Sequence, residues 1–176
     1  MERLQVNSAV IELVQGDITQ EETDAIVNAA NKELSPGGGV SGAIHRAAGP
    51  QLWEETKKIG GCETGEAKIT FAYNLKSRYV IHTVGPVYSG SSKDPEQLRS
   101  CYEQSLHLAS THFAKTISFP AISTGIFGYP VKEAAEISLK TVRDYLLSHP
   151  EIETVRFVLF SRDDYNTYKT VGSDLN

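Results

Sequence analysis

Short apolar runs alternate with longer amphipathic stretches along this chain, and that alternation constrains the fold more than any other feature. Residues 9–14, 25–27, 67–72, 79–84, 116–119 and 155–160 are apolar, rich in β-branched or aromatic residues and bounded by turn formers, which reads as strands. The segments between them carry a helical period instead. Val40, Ala43, Ile44, Ala47 and Ala48 fall at i, i+3, i+4, i+7 and i+8, so they are predicted to form the apolar face of a short helix that stops at Gly49-Pro50. Asp94-Pro95-Glu96 reads as a helix start, with Asp94 as the cap and a proline at the first helical position. That helix runs to about Ser110, with Leu98, Cys101, Tyr102, Ser105, Leu108 and Ala109 on its inner face. Between Lys132 and His149, Ala135, Leu139, Val142 and Leu146 form another stripe, and Glu136 stands four before Lys140 for modest support. Strands alternating with helices imply a largely parallel sheet with helices on both faces, an α/β fold. The strand-rich N-terminus adds an antiparallel edge.

No repeat, low-complexity tract or linker interrupts the pattern, and 176 residues suit one domain spanning 1–176. Hydrophobic residues at 40% and charged residues at 22% exclude wholesale disorder. No run approaches the roughly 18 apolar residues of a membrane span. Charges come too early in the N-terminal segment for a secretory signal, and Cys62 and Cys101 are too few for a disulfide scaffold, so a reducing, cytoplasmic setting is expected. The 17 basic and 22 acidic side chains leave a net charge of −5, with Lys57-Lys58 the densest basic cluster. That balance argues against a bulk nucleic-acid partner, which needs a basic face. A small anion held by backbone N–H groups requires no such face. A monomer with no membrane partner is expected.

Chemistry concentrates just past the strand-like runs. Gln15-Gly16-Asp17-Ile18-Thr19, Asn28-Ala29-Ala30-Asn31, the segment 120–128 and Ser161-Arg162-Asp163-Asp164 each follow one. Ligands of open α/β sheets bind outside the carboxyl ends of strands, so these loops are candidates for one cleft. Gly37, Gly38 and Gly39 are the sharpest signal, because they admit a ligand close to the backbone just before the helix near Val40. Such an arrangement cradles a phosphate, whereas the plainer reading is a tight turn that needs glycine. Gly37-x-Gly39-x-x-Gly42 also fits a dinucleotide fingerprint, but it stands too far past its strand and lacks the acidic residue beyond a second strand. No Gly-Lys pair exists, which excludes a P-loop.

Ser123-Thr124-Gly125, followed by Ile126 and Phe127, forms a second candidate cradle, and two cradles together suggest a diphosphate. The segment 121–125 is one glycine short of a nucleophile elbow, and the single later histidine, His149, sits at a helix end, which disfavours a serine triad. Asp17 accepts from an adenine amino group or caps a helix start. Asn31 holds ribose hydroxyls or fixes its own turn. Phe127 and Phe160 stack on a ligand or fill the core. His45, His82, His107, His112 and His149 show no metal-ligand spacing with each other or with the cysteines, so neither a metal nor a cofactor is expected. His45 and His82 read as structural hydrogen-bonders, and Cys101 as core. Trp53 and the tyrosines do not interleave with basic residues, so no stacking platform for single strands is suggested.

Taken together, six motifs resemble a macrodomain of the MacroD-like branch, from about Val14 to Phe160. They are Gly16-Asp17-Ile18-Thr19, Ala25-Ile26-Val27-Asn28-Ala29-Ala30-Asn31, Gly37-Gly38-Gly39-Val40, Gly42-Ala43-Ile44-His45-Arg46-Ala47-Ala48-Gly49, His82-Thr83-Val84-Gly85-Pro86 and the run 120–130. The resemblance implies a three-layer α/β/α sandwich around a mixed, mostly parallel sheet, with ADP-ribose, or an ADP-ribosylated protein, at the strand ends. On this chain it implies that Asp17 and Ile18 hold the adenine end and that Phe160 packs on the ring. It also implies that Asn31 binds the distal ribose. It likewise implies that Gly39, Val40 and position 41 line the first loop, and that Ser123, Thr124, Gly125, Ile126 and Phe127 wrap the diphosphate and place Phe127 beside the distal ribose. The implied activity is hydrolysis of mono-ADP-ribose from Asp or Glu side chains, or deacetylation of O-acetyl-ADP-ribose.

One residue departs from that pattern. The MacroD-like branch carries an aspartate directly after Gly-Gly-Gly-Val, where this chain has Ser41. A serine hydroxyl is too weak a base to deprotonate water at neutral pH, although it still orients one. Asn31 and Ser41 are therefore the candidate catalytic pair, and a non-catalytic ADP-ribose reader is the alternative.

Overall fold

The predicted alternation folds into a seven-stranded sheet of order β1-β2-β7-β6-β3-β5-β4, and the computed structural model describes residues 1–175. β1 (Glu2–Val6) and β2 (Ala9–Gln15) form a hairpin; a 3₁₀ turn, Ile18–Gln20, leads to β3 (Ala25–Ala29). The helices α1 (Gly39–Ala48) and α2 (Gln51–Ile59) precede β4 (Ala67–Phe71) and β5 (Tyr79–Thr83). The chain then alternates through α3 (Lys93–Thr111), β6 (Thr116–Phe119), α4 (Val131–Ser148), β7 (Thr154–Leu159) and α5 (Arg162–Ser173). β2, β7, β6, β3 and β5 run parallel, while β1 and β4 are antiparallel edges.

Side chains alternate across the sheet with period two, and this sorts the core into two layers. Leu13, Val27, Ile81, Phe119 and Phe157 pack with Leu98 and Tyr102 of α3, Leu139 and Val142 of α4, and Tyr168 of α5. Ile26, Val80 and Val158 face the other way and pack with Ile44 and Ala48 of α1, Leu52 of α2 and Ile18 of the 3₁₀ turn. The result is the three-layer α/β/α sandwich with a mixed sheet. Central parallel strands covered on both sides explain why their sequences are continuous apolar runs.

Several local expectations need correction. The buried face of α1 consists of Ser41, Gly42, Ile44, His45 and Ala48, while Ala47 is exposed. The helix is rotated from the all-apolar stripe because small alanines tolerate water and the sheet face takes in Ser41 and His45. Asp94 is not the cap of α3, which begins at Lys93; its carboxylate accepts backbone N–H bonds from Ser89 and Gly90, both 2.8 Å, and so closes the preceding loop. The stretch from Val84 to Pro95, punctuated by Gly85, Pro86, Gly90 and paired serines, reads as a surface loop, but Val84, Gly85 and Pro86 are buried. Ser161-Arg162-Asp163-Asp164 is a helix start rather than a free loop: the Ser161 hydroxyl accepts from Asp164 N–H at 3.1 Å. α2 and α5 bury few apolar side chains, so their periodicity is faint in the sequence.

The sheet itself opens the site. β3 pairs with β5 from Ala25 to Ala29, but with β6 only at Ala25–Ile117 and Ile26–Ser118. Beyond that point β3 and β6 have no registered partners on their shared edge. β5 leads through α3 back across β3 to β6, so this is where the winding reverses, the usual crevice of a doubly wound sheet.

Candidate functional site

A cleft of about 340 Å³ lies at that crevice. Its walls are Ala29, Ala30 and Asn31 after β3, Gly37 to Ser41 entering α1, Gly85 after β5, and Ala121, Ile122, Ser123, Gly125, Ile126 and Phe127 after β6. Larger grooves of about 670 and 710 Å³ run along α4–α5 and α3–α4. Those are lined by solvated charged side chains away from the strand ends, whereas the smaller cleft gathers convergent polar groups among apolar walls.

The first wall is the N-terminus of α1. Gly38 precedes the helix and no side chain caps it; the Gly42 N–H to Gly38 C=O bond, 3.1 Å, is the first of the ladder. The N–H groups of Gly39, Val40 and Ser41 thus stand where a helix has unpaired donors and the positive end of its dipole. Glycine is required at 42, because a Cβ there would collide with the Gly37 carbonyl. Gly39 adopts φ +53°, a left-handed conformation that favours glycine.

The second wall is the turn 121–128. Ser123 adopts φ +68°, uncommon for a residue with a Cβ, and its buried hydroxyl has no protein partner. Tyr129 N–H donates to the Ser123 carbonyl at 2.9 Å and Gly128 N–H to the Gly125 carbonyl at 3.0 Å, which hold the turn. Gly85 backs it: a Cβ there would collide with Ser123 Oγ and come within 2.6 Å of Ile122 Cγ2. Tyr88 N–H donates to the Phe127 carbonyl at 2.8 Å, tying the β5 loop to the same turn. All lining residues are uncharged, so an anion in this cleft meets amides, hydroxyls and a helix dipole.

Of the sequence candidates, Asn31, Gly37, Gly38, Gly39, Val40, Ser41, Ser123, Gly125, Ile126 and Phe127 share this cleft. Thr124 does not line it; its hydroxyl donates to the Ala121 carbonyl at 3.1 Å. Asp17, Ile18 and Phe160 do not line it either; they follow β2 and β7, the strands that lie beyond β6 in the sheet. Gly16 N–H bonds the Leu159 carbonyl at 3.0 Å and brings Asp17 next to Phe160. Asp17 Oδ1 caps the 3₁₀ turn, accepting from Thr19 N–H at 2.9 Å and Thr19 Oγ1 at 2.7 Å. Phe160 is 83% exposed, whereas the Ile18 side chain is buried in the core. Asn31 fixes its own turn through Ser35, at 3.0 and 3.1 Å. Ser41 is 5% exposed and its hydroxyl points to the Ser35 carbonyl at 3.5 Å. Ala29, Ala30, Ala121 and Ile122 belong to the loops that the sequence puts at the cleft, whereas Gly85 lies outside them; a glycine directly after a strand end is its sequence signal.

Asn28, one residue before the cleft wall at Ala29, begins a buried polar column. Asn28 Nδ2 donates to His82 Nδ1 at 3.2 Å, His82 Nε2 donates to Thr70 Oγ1 at 3.0 Å, and Thr70 donates to the Phe71 carbonyl at 3.0 Å. This donor order requires a neutral imidazole. Burial, with His45 nearby as a lesser cause, holds His82 down to about 3. Burial also lowers His45, whose ring centroid is 6.4 Å from that of His82. His82 is the structural hydrogen-bonder expected; His45 is not, since neither ring nitrogen has a protein partner. Among the described residues no cluster of His, Cys, Asp and Glu could hold a metal, and no helix is long and apolar enough to cross a membrane.

The Macro domain family profile matches residues 27–138. A macro domain-containing protein of Chlorobaculum tepidum is 53% identical over 93% of this chain and 95% of its own length. An ADP-ribose glycohydrolase of Xenopus laevis is 50% identical over 96% of this chain, which spans 42% of that longer protein. Among solved structures, the Oceanobacillus iheyensis macrodomain with ADP superposes with a TM-score of 0.96 at 42% identity, covering 99% of this chain and 95% of the other.

Proposed function

Because the chain belongs to the Macro domain family, we propose that its cleft binds ADP-ribose and that the protein is a hydrolase releasing mono-ADP-ribose from Asp and Glu side chains, or acetate from O-acetyl-ADP-ribose. One observation carries the reading: two uncharged backbone cradles, at the start of α1 and at residues 123–127, line the same cleft as Asn31 and Ser41. In this reading the amides of Gly37 to Ser41 and of the 123–127 turn hold the diphosphate, and the unpaired Ser123 hydroxyl donates to it. Asp17 uses its Oδ2, free of protein hydrogen bonds among the described residues, for the adenine amino group, and exposed Phe160 packs on the ring. Ile18 contributes through its backbone, since its side chain belongs to the core. Asn31 and Phe127 meet the distal ribose. The proposal extends to a cytoplasmic monomer.

Hydrolysis of the ester consumes one water, breaks the bond between the ribose and the carboxylate, and yields ADP-ribose and the free side chain. Asn31 positions the ribose and Ser41 orients the water, while a phosphate oxygen of the bound substrate takes the proton. The carboxylate that general-base catalysis would use is absent, which forgoes a factor of about 10²–10⁴.

A second reading, an ADP-ribose reader with little turnover, is favoured by Ser41, buried with its hydroxyl directed at Ser35. Incubation with a mono-ADP-ribosylated glutamate substrate decides between them. The hydrolase releases ADP-ribose faster than its Asn31→Ala variant; binding in calorimetry without release selects the reader. Ser41→Asp is expected to raise turnover by about 10²-fold or more. Failure of the protein to bind ADP-ribose would eliminate both.

A further inference from the structure

Ser35 belongs to none of the sequence motifs, yet it holds both residues on which the proposed chemistry turns. Its N–H donates to Asn31 Oδ1 at 3.0 Å and its carbonyl accepts from Asn31 Nδ2 at 3.1 Å. The carboxamide therefore pairs with the backbone of residue 35 much as one strand residue pairs with another. Ser35 Oγ adds contacts of 3.1 Å to Nδ2 and 3.3 Å to Oδ1. An exchanged carboxamide would set oxygen against the Ser35 carbonyl and nitrogen against its N–H, so the pairing dictates which atom stands where. The same carbonyl receives the Ser41 hydroxyl at 3.5 Å.

Ser35 is itself held on both sides. Leu34 before it is buried at φ +58°, its N–H bonded to the Asn31 carbonyl at 3.0 Å and its carbonyl to Thr56 Oγ1 of α2 at 2.8 Å. Pro36 after it confines Ser35 to extended backbone. The loop between Asn31 and the glycines is thus pinned to α2, and Ser35 transmits that rigidity to the Asn31 carboxamide.

We infer that Ser35 is a positioning residue for the distal-ribose end of the cleft, presetting the donor and acceptor of Asn31 and linking Asn31 to Ser41. This inference rests on the ADP-ribose reading above. Calorimetric titration of the wild-type, Ser35→Ala and Ser35→Thr proteins with ADP-ribose and with ADP, which lacks the distal ribose, tests it. Ser35→Ala keeps the backbone pairing and removes the Oγ contacts, so it reads the share of the hydroxyl: an expected loss of about three- to tenfold in ADP-ribose affinity while ADP affinity stays within about twofold, restored by Ser35→Thr, which keeps the hydroxyl. An unchanged ratio in Ser35→Ala, whether both affinities hold or both fall together, overturns the part of the Ser35 hydroxyl in presetting Asn31. Absence of ADP-ribose binding by the wild type overturns the functional reading itself, so the two failures are distinct. The backbone share is read by NMR from the side-chain amide of Asn31 in the wild type, a measurement that also decides should Ser35→Ala not fold. A slowly exchanging, immobile amide supports the role, and a rapidly exchanging one overturns it.

Discussion

Replacing Ser123 by glycine sets stability against binding in a way the geometry quantifies. Ser123 sits at φ +68°, where a side chain costs about 1–2 kcal/mol relative to glycine. Its buried hydroxyl has no protein partner, a desolvation cost of about 1–3 kcal/mol. Glycine removes both and gives back about 0.4–1 kcal/mol through the greater freedom of the unfolded chain. The net expectation for Ser123→Gly is a gain of about 2 kcal/mol, or roughly 4–8 °C in Tm for a chain of this size. Ser123→Ala removes the hydroxyl but keeps the strained backbone, so it should gain about 1 kcal/mol less than glycine does. Both variants lose a hydroxyl donor to a charged phosphate, worth about 1.5–3 kcal/mol, so ADP-ribose affinity should fall about 10- to 100-fold. Urea denaturation with an unchanged m-value reads the first quantity and calorimetry the second. A glycine variant no more stable than the alanine variant would refute the strain; undiminished affinity in both would refute the assignment of Ser123 to the ligand.

Two further outcomes follow from the same region. Gly85→Ala drives a Cβ into Ser123 Oγ and to 2.6 Å from Ile122 Cγ2, so it should destabilise by about 1–3 kcal/mol and weaken ADP-ribose binding, measured by urea midpoint and calorimetry. His82 titrates at 6.5 when unfolded and near 3 when folded, so the unfolded chain takes up the proton first. Its stabilising contribution is complete above pH 6.5 and declines as pH falls toward 3, by up to about 1.4 kcal/mol per unit. Buried His45 changes stability in the same direction. Urea midpoints at pH 7, 6 and 5 check this, and a flat profile across that range would contradict a neutral buried His82.

How far each feature could be read from the chain follows the range of the physics behind it. The strands 25–29, 79–83 and 116–119 are legible because burial on both faces forces continuous apolar residues. Of the glycines at 37–39, Gly39 is legible because φ +53° leaves few other residues. α2 and α5 are faint because each buries little, and Asp94 misleads because a helix cap and a loop clamp use the same carboxylate.

Local chemistry in the sequence, then, was enough to determine an α/β sheet with helices on both faces, two candidate anion cradles past strand ends, and a serine at position 41 directly after the glycine triplet and Val40. Convergence was decided by tertiary structure alone. The β3–β6 pairing stops after Ile26–Ser118, and the gap it leaves brings Asn31, the α1 amides, Ser123 and Gly85 around one cleft. It also turned Ser41 and His45 inward and set Ser35 against Asn31. Those relations join residues through the packing of whole elements against one another, and hydrophobic period and turn propensity, being properties of neighbouring residues, carry no record of them.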